Sequence, residues 1–403
     1  MMDLLKGVKI IDLTSVLMGP YATQTLGDFG ADIIKIEAPG GDVTRQIGPA
    51  NNAGMGPVFL NANRNKRSVA LDLKHPEGRQ VLLRLISQSD VLIYNIRPQA
   101  MDRLGLGYDT LREVNPRLIY AGVFGFGQSG PYAAKAAYDD LIQGASTIAA
   151  LMTVSGSDVP RYVPSAMADR VVGLFAAAGI GAALNKVRTT GEGLKIDFPM
   201  FETMVSFILA DHLGGLTFDP PLDRGGYGRQ LSPYRRPYRT SDGYVCALIY
   251  TDKQWAAFAK LLGTEEVFAQ DPRRTTISSR LQHIDAIYAE LEAEFVKRPT
   301  AEWIQLLTDY DIPVLPMHDL ESIFDDAHLA AIDFFPYQDH PTEGRIRSIR
   351  FPATANCELR RDLPAPSYGQ HSDQILREFG FSDEEVRTLR SNLALGPKPA
   401  AHL

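Results

Sequence analysis

Val8-Lys9-Ile10-Ile11-Asp12-Leu13, a helical stretch over residues 20–29 closed by Gly30, and Asp32-Ile33-Ile34-Lys35-Ile36-Glu37 read as strand, helix and strand. Both flanking runs are short, apolar and β-branched, and the second stops at the breaker Pro39-Gly40-Gly41. Outward from this unit the alternation continues. Ser68-Val69-Ala70-Leu71-Asp72-Leu73 reads as a strand, and a helix follows with Pro76 in its first turn. Val91-Leu92-Ile93-Tyr94 and Leu118-Ile119-Tyr120-Ala121-Gly122-Val123 extend the series. Strands this apolar, alternating with helices, predict an α/β fold with a Rossmann-like parallel sheet covered on both faces.

Past residue 200 the texture changes. Residues 201–213 form a helix candidate, and 214–236 are rich in Gly, Pro and Arg, as a linker would be. Residues 238–327 hold a strand over 244–249 and amphipathic helices over 284–295 and 301–308. The expected division is therefore a large domain of residues 1–220 with 330–403, and a smaller α+β domain of residues 225–325. A length of 403 residues suits one large and one small core.

Hydrophobic residues make up 45% of the chain and charged residues 22%, which excludes a disordered or fibrous protein. The net charge of −7 offers no basic face for nucleic acid, so an anionic ligand would need local positive charge. Cys246 and Cys357 form no CxxC pair, and the eight histidines show no metal spacing, so no metal site is expected. The first residues lack the apolar core of a signal peptide, and the Ala/Gly-rich run 171–184 is shorter than a bilayer span. A cytoplasmic protein with no membrane segment is the expectation.

Gly125-Phe126-Gly127-Gln128-Ser129-Gly130 matches GxGxxG after a strand, but Pro131 follows it and no strand ending in an acid appears about 20 residues on. A tight turn at the ligand-binding edge of the sheet fits better than a dinucleotide fingerprint. Several of Arg64, Lys66, Arg67, Lys74, Arg97 and Arg103 follow predicted strands; each suits a solvated surface or a phosphate contact. Asp169 heads the small-residue helix. A helix cap explains such an acid, and so does a carboxylate kept ionised by the helix dipole and made reactive by apolar neighbours. Tyr138-Asp139-Asp140 suits a pocket wall or plain packing, and no GxSxG elbow occurs.

These segments together resemble the family III CoA-transferases. The resemblance rests on residues 5–14, Gly19-Pro20, residues 26–37, Asn63-Arg64-Asn65-Lys66-Arg67-Ser68, Leu71-Asp72-Leu73-Lys74 and Asn95-Ile96-Arg97-Pro98. Asn115-Pro116, Gly125-Phe126-Gly127, Gly130-Pro131-Tyr132, and Pro366, Gly369 and His371 complete it. It implies a two-domain subunit that interlocks with a second copy like chain links. It implies coenzyme A and acyl-CoA as substrates, with no tightly bound cofactor, and a carboxylic acid as acceptor. Asp169 corresponds to the family's nucleophile, which carries CoA through mixed anhydrides and an aspartyl-CoA thioester. Lys74 and Arg103 match positions that hold CoA in relatives, with Asn95 and Arg97 on the same edge; Leu17, Tyr138 and Asp139 fall at substrate positions.

The chain also departs from the family. Leu17 and Ala38 stand where formyl-CoA transferases carry glutamine and arginine, so oxalate–formate exchange is not expected. Leu248-Ile249-Tyr250-Thr251-Asp252 replaces their glycine-rich flap. The 2-methylacyl-CoA racemases share the scaffold but place a histidine where this chain has Tyr138, whose ordinary pKa near 10 suits proton shuttling poorly. An inactive CoA-binding subunit of a heteromeric transferase would have no use for Asp169. Arg235 and Arg236 suit either a dicarboxylate such as succinate or interdomain contacts.

Overall fold

The computed structural model describes residues 1–396. Its chain separates into two compact units. The larger comprises Met1–Ser146, Pro164–Val205 and the segment from Ala331; the second comprises Thr147–Val163 and Ser206–Ala330. The sequence places the division at residues 220–225, whereas the contacts place it inside a helix, Met200–His212, and count the short segment Thr147–Val163 with the second unit. A continuous helix carries no Gly/Pro punctuation, so nothing in the sequence marks that crossing.

The larger unit is built on six parallel strands: β1 (Lys9–Leu13), β2 (Asp32–Glu37), β3 (Lys66–Ala70), β4 (Val91–Tyr94), β5 (Ile119–Phe124) and β6 (Leu194–Pro199). Their order is β3-β2-β1-β4-β5-β6. The chain winds outward from β1 on one side, then returns to β4 and winds the other way, so the strand order reverses between β1 and β4. Ligands of open α/β sheets bind in the crevice at the carboxyl ends of such a pair. The central strands are buried on both faces, as their unbroken apolar runs predict: Ile10, Ile11, Val91, Leu92, Ile93, Ile119 and Ala121 are fully buried.

β3 starts two residues earlier than its apolar pattern suggests, because Lys66 is buried and pairs within the core. The apolar run 171–184 is likewise only the middle of a helix spanning Met167–Thr190, which by length and composition alone would cross a membrane. Here it packs on the Met18–Asp28 helix and against β5 and β6, burying Val172, Ala176, Ala177 and Ile180. Gly173 permits the close approach, since a Cβ there would lie 2.8 Å from the Met18 carbonyl oxygen.

The second unit holds a three-stranded antiparallel sheet, β7 (Tyr238–Arg239), β8 (Tyr244–Ala247) and β9 (Val314–Pro316), in that order. Its core is aromatic. Trp255, Phe258, Phe295 and Trp303 pack together, and the Trp303 indole donates to the Phe295 carbonyl at 2.7 Å.

Candidate functional site

The loops that leave β1 and β4 face each other across the strand reversal. The Asn95 side chain ties them, accepting from the Ser15 amide at 3.2 Å and donating to the Ser15 carbonyl at 2.9 Å. Beyond Ser15 the backbone is strained: Val16, a β-branched residue, has φ +72°. Its amide is directed at the Asp42 carboxylate, 3.3 Å away.

Beneath these loops lies a group of buried charges. Asp12, at the end of β1, accepts from the Thr14 amide and hydroxyl, the Thr23 hydroxyl and Lys66 Nζ. Burial alone would raise its pKa, but Lys66 and Lys35 hold it down at about 2. Burial also pushes the Lys66 ammonium down to about 8, against the pull of Asp12. Lys35 pairs with Asp42 at 3.0 Å and donates to the Thr14 carbonyl at 2.8 Å, so the charges grip the loop through its backbone.

Two cavities open at this edge and share Ser15 and Ile96 on their walls. The larger, about 760 Å³, is bounded by Thr14, Ala38, Leu73, Lys74, Ala100 and Arg103. Lys74 and Arg103 are exposed there, and neither side chain has a carboxylate partner among the described residues. The smaller, about 350 Å³, contains Asp169 together with Asn95, Arg97 and Tyr138. The structure thus brings Asp169 to the crevice and sets two unpaired cations in the adjoining space.

Asp169 sits in the first turn of the Met167–Thr190 helix without capping it. The residue at the cap position is Ala166, which offers no side-chain oxygen. The Asp169 amide is instead satisfied from outside, donating to the Asp139 carboxylate at 2.9 Å. Asp139 is held in turn by Gln143 Nε2 at 2.6 Å, and the same nitrogen reaches the Ser165 carbonyl at 3.0 Å. The Asp169 carboxylate accepts no hydrogen bond among the described residues. Burial and the neighbouring Asp139 charge raise its pKa from 3.8 to about 7, against Arg170. A half-buried carboxylate with free lone pairs, facing a cavity, is equipped for nucleophilic attack.

Other sequence candidates fall elsewhere. Leu17 precedes the Met18–Asp28 helix and lines neither cavity, although its neighbours Val16 and Met18 line the smaller one. Asp139, expected at the substrate, stands behind Asp169 with its oxygens engaged. Tyr138 is 67% exposed at the cavity rim. Arg64, Lys66 and Arg67, weighed as phosphate contacts, are consumed by Asp28, Asp12, and Asp32 with Glu378. Arg236 is paired with Glu292.

The glycine turn follows β5 and lines the smaller cavity through Gly125, Phe126 and Gln128. The Gly127 amide donates to Glu202 at 2.8 Å, a partner that sequence reasoning did not identify. Gln143, Val16 and Lys135 were missed as well. Nothing in the sequence marked Gln143, whose helical neighbours Asp139, Asp140, Ser146 and Thr147 are all polar.

A family model described as CoA-transferase family III matches residues 5–372. The chain is 37% identical over 398 residues to an acyl-CoA transferase of Fusarium pseudograminearum, covering 95% of this chain and 86% of that one. It is 34% identical over 386 residues to the mouse succinyl-CoA:glutarate CoA-transferase, covering 94% and 87%. Among solved structures, a CAIB/BAIF family protein from Brucella suis superposes with a TM-score of 0.78 at 31% identity, covering 94% of this chain and all of that one.

Proposed function

This chain belongs to CoA-transferase family III, and from that premise we propose that it carries coenzyme A between carboxylic acids through covalent intermediates on Asp169. The observation that carries the reading is the setting of Asp169: drawn out of bulk water, with no hydrogen bond to its carboxylate among the described residues, and open to a cavity that adjoins the one bounded by Lys74 and Arg103.

The bonds balance as follows. An Asp169 oxygen attacks the donor's thioester carbon, CoA leaves as thiolate, and a mixed anhydride remains. The thiolate then attacks the Asp169 carbonyl carbon, forming the aspartyl thioester and releasing the donor acid. The acceptor carboxylate attacks that thioester, expelling thiolate and forming a second anhydride. Thiolate attack on the acceptor's acyl carbon yields the new acyl-CoA and restores the Asp169 carboxylate. Ionised carboxylates are weak nucleophiles, so the raised pKa and the fixed position supply reactivity. Lys74 and Arg103 offer charge-assisted hydrogen bonds to the CoA phosphates. Asn95 and Arg97 line the smaller cavity on either side of Ile96, which both cavities share.

The acids exchanged are read as dicarboxylic, following the relative named for succinyl-CoA and glutarate. Two interlocked subunits form the working assembly in this reading. The test is intact-mass analysis after mixing with succinyl-CoA and other acyl-CoAs. An adduct of CoA mass less one water, localised to Asp169 by peptide mapping and absent in Asp169→Ala, is expected; wild-type turnover by Asp169→Ala removes the proposal.

A further inference from the structure

Gln143 is fully buried, and a primary amide placed there costs free energy unless its hydrogen bonds are made. It belongs to the helix Asp139–Ala145 and lines neither cavity. Its Nε2 donates to Asp139 Oδ2 at 2.6 Å, one turn back on the same helix, and to the Ser165 carbonyl at 3.0 Å. With Oδ2 engaged in this way, Asp139 Oδ1 accepts from the Asp169 amide at 2.9 Å. One side-chain nitrogen therefore joins the acid that receives the Asp169 amide to the backbone just ahead of the Met167–Thr190 helix. A glutamine four residues after an aspartate is an ordinary helical pair, but such pairs lie on surfaces and serve one helix. This one is closed to water and spans two.

The main chain leading to Asp139 is fixed independently, since a Cβ on Gly125 would lie 2.2 Å from that of Ala137. The Asp139 side chain is not. Among the described residues no cation pairs with it, and its only donors are Gln143 Nε2 and the Asp169 amide. The charged groups about this link are Asp139 and Asp140 on its own helix, and Asp169 and Arg170 on the facing one. Arg170 is turned onto the Tyr21 ring, 4.3 Å from its centroid. If Asp139 swung away, the Asp169 amide would lose its acceptor in a first turn that has no side-chain cap. The two helices pack on one another in any case, so the link can be cut without removing the contact that carries it.

We propose that Gln143 is a positioning residue for CoA transfer: by holding Asp139 against both the Asp169 amide and the Ser165 carbonyl, it fixes the helical turn from which the Asp169 carboxylate attacks. The inference rests on the transfer reading above and adds to it a residue that touches neither substrate nor the reacting atoms. A weak nucleophile gains its rate from placement, so the effect falls on kcat rather than on binding.

The experiment compares wild type, Gln143→Leu and Gln143→Glu in transfer from succinyl-CoA to glutarate, with thermal melts as a folding check. Leucine fills the volume and donates nothing; glutamic acid keeps the shape and donates only when protonated. Loss of one charge-assisted hydrogen bond is expected to lower kcat about ten- to a hundredfold in Gln143→Leu, with KM for succinyl-CoA within about twofold. In Gln143→Glu two carboxylates meet at pH 8, and kcat should fall as far. Toward pH 6 the introduced carboxyl takes up a proton and donates to Asp139 again, so the ratio of variant to wild-type kcat should climb about tenfold. Hydrogen–deuterium exchange without substrate should quicken in peptides covering residues 164–172 of Gln143→Leu, while those of β1 and β4 keep wild-type rates. A folded Gln143→Leu with wild-type kcat, or with a loss confined to KM, overturns the proposal. A ratio in Gln143→Glu that stays flat with pH also overturns it, because packing alone then accounts for the residue; this arm decides the matter if Gln143→Leu does not fold. If wild type transfers no CoA, the transfer reading fails by itself and exchange decides: unchanged rates over 164–172 overturn the hold of Gln143 on the Asp169 turn, and quickened rates support it.

Discussion

Replacing Asp169 by asparagine should make the protein more stable, and only above acidic pH. The folded chain holds this carboxyl at a pKa of about 7, against 3.8 for an ordinary aspartate. At about 1.4 kcal/mol for each tenfold change in proton affinity, the gap bounds the penalty of ionising it at roughly 4 kcal/mol. Asp169 faces a cavity, so water screens part of that, and about 1–2 kcal/mol is the realistic figure. The sign follows from linkage. Between the unfolded and folded pKa values the native chain holds a proton that the unfolded chain has lost, so stability falls as pH rises through that window. Below about pH 4 both states are protonated and the penalty vanishes; above about 7 it is complete. Asparagine keeps the shape and removes the titration. The melting temperature of Asp169→Asn minus that of wild type should be near zero at pH 4, climb through pH 7 and level off at roughly 2–4 °C by pH 8. Scanning calorimetry across that range, reading the transition of the larger unit, measures it. A difference that stays flat with pH refutes the reasoning, because the carboxyl would then be solvated like any surface aspartate.

Lys74→Ala and Arg103→Ala should each raise KM for acyl-CoA about tenfold with kcat little changed, and the wild-type KM should climb with salt in steady-state assays. Asp12→Asn leaves Lys66 buried without its counter-charge and should cost about 3–5 kcal/mol, read as a shifted midpoint in urea unfolding.

Five strands of the large sheet were legible because uninterrupted β-branched runs such as Ile10-Ile11 and Leu92-Ile93 report burial on both faces directly, whereas β6 at the sheet edge, only half-buried, gave no such run. The placement of Asp169 in the first turn of a small-residue helix was legible too, since Gly173 and Ala176 pack closely in any context. What the residue does locally was not. Capping and exposure depend on what lies beside the helix end, and Asp139, thirty residues earlier, accepts from the Asp169 amide itself. The misread basic residues fail for the same reason. Arg64, Lys66 and Arg67 look like surface charges because a sequence lists cations without their partners, and here each partner lies on a strand or helix distant in sequence. Asp28, Asp12 and Asp32 had been counted as parts of a strand–helix–strand pattern, where their chemistry was invisible.

Those buried pairs explain a conformation that local sequence forbids. A valine at φ +72° costs energy on its own and persists only where the surroundings leave it no alternative. Asn95 fixes the backbone one residue before it from β4, Asp42 faces its amide from the loop after β2, and Lys35 secures both Asp42 and the Thr14 carbonyl. Side chains from β2, from the loop after it and from the end of β4 thus converge on the loop that leaves β1. The loop they constrain is the wall shared by the two cavities, so a group lying across Ser15 meets a surface that has already lost its freedom to move. Preorganisation of that kind is what a weak carboxylate nucleophile needs, because position must replace intrinsic reactivity. The strain at Val16 is therefore a sign that the wall shared by the two cavities is held in place by its surroundings.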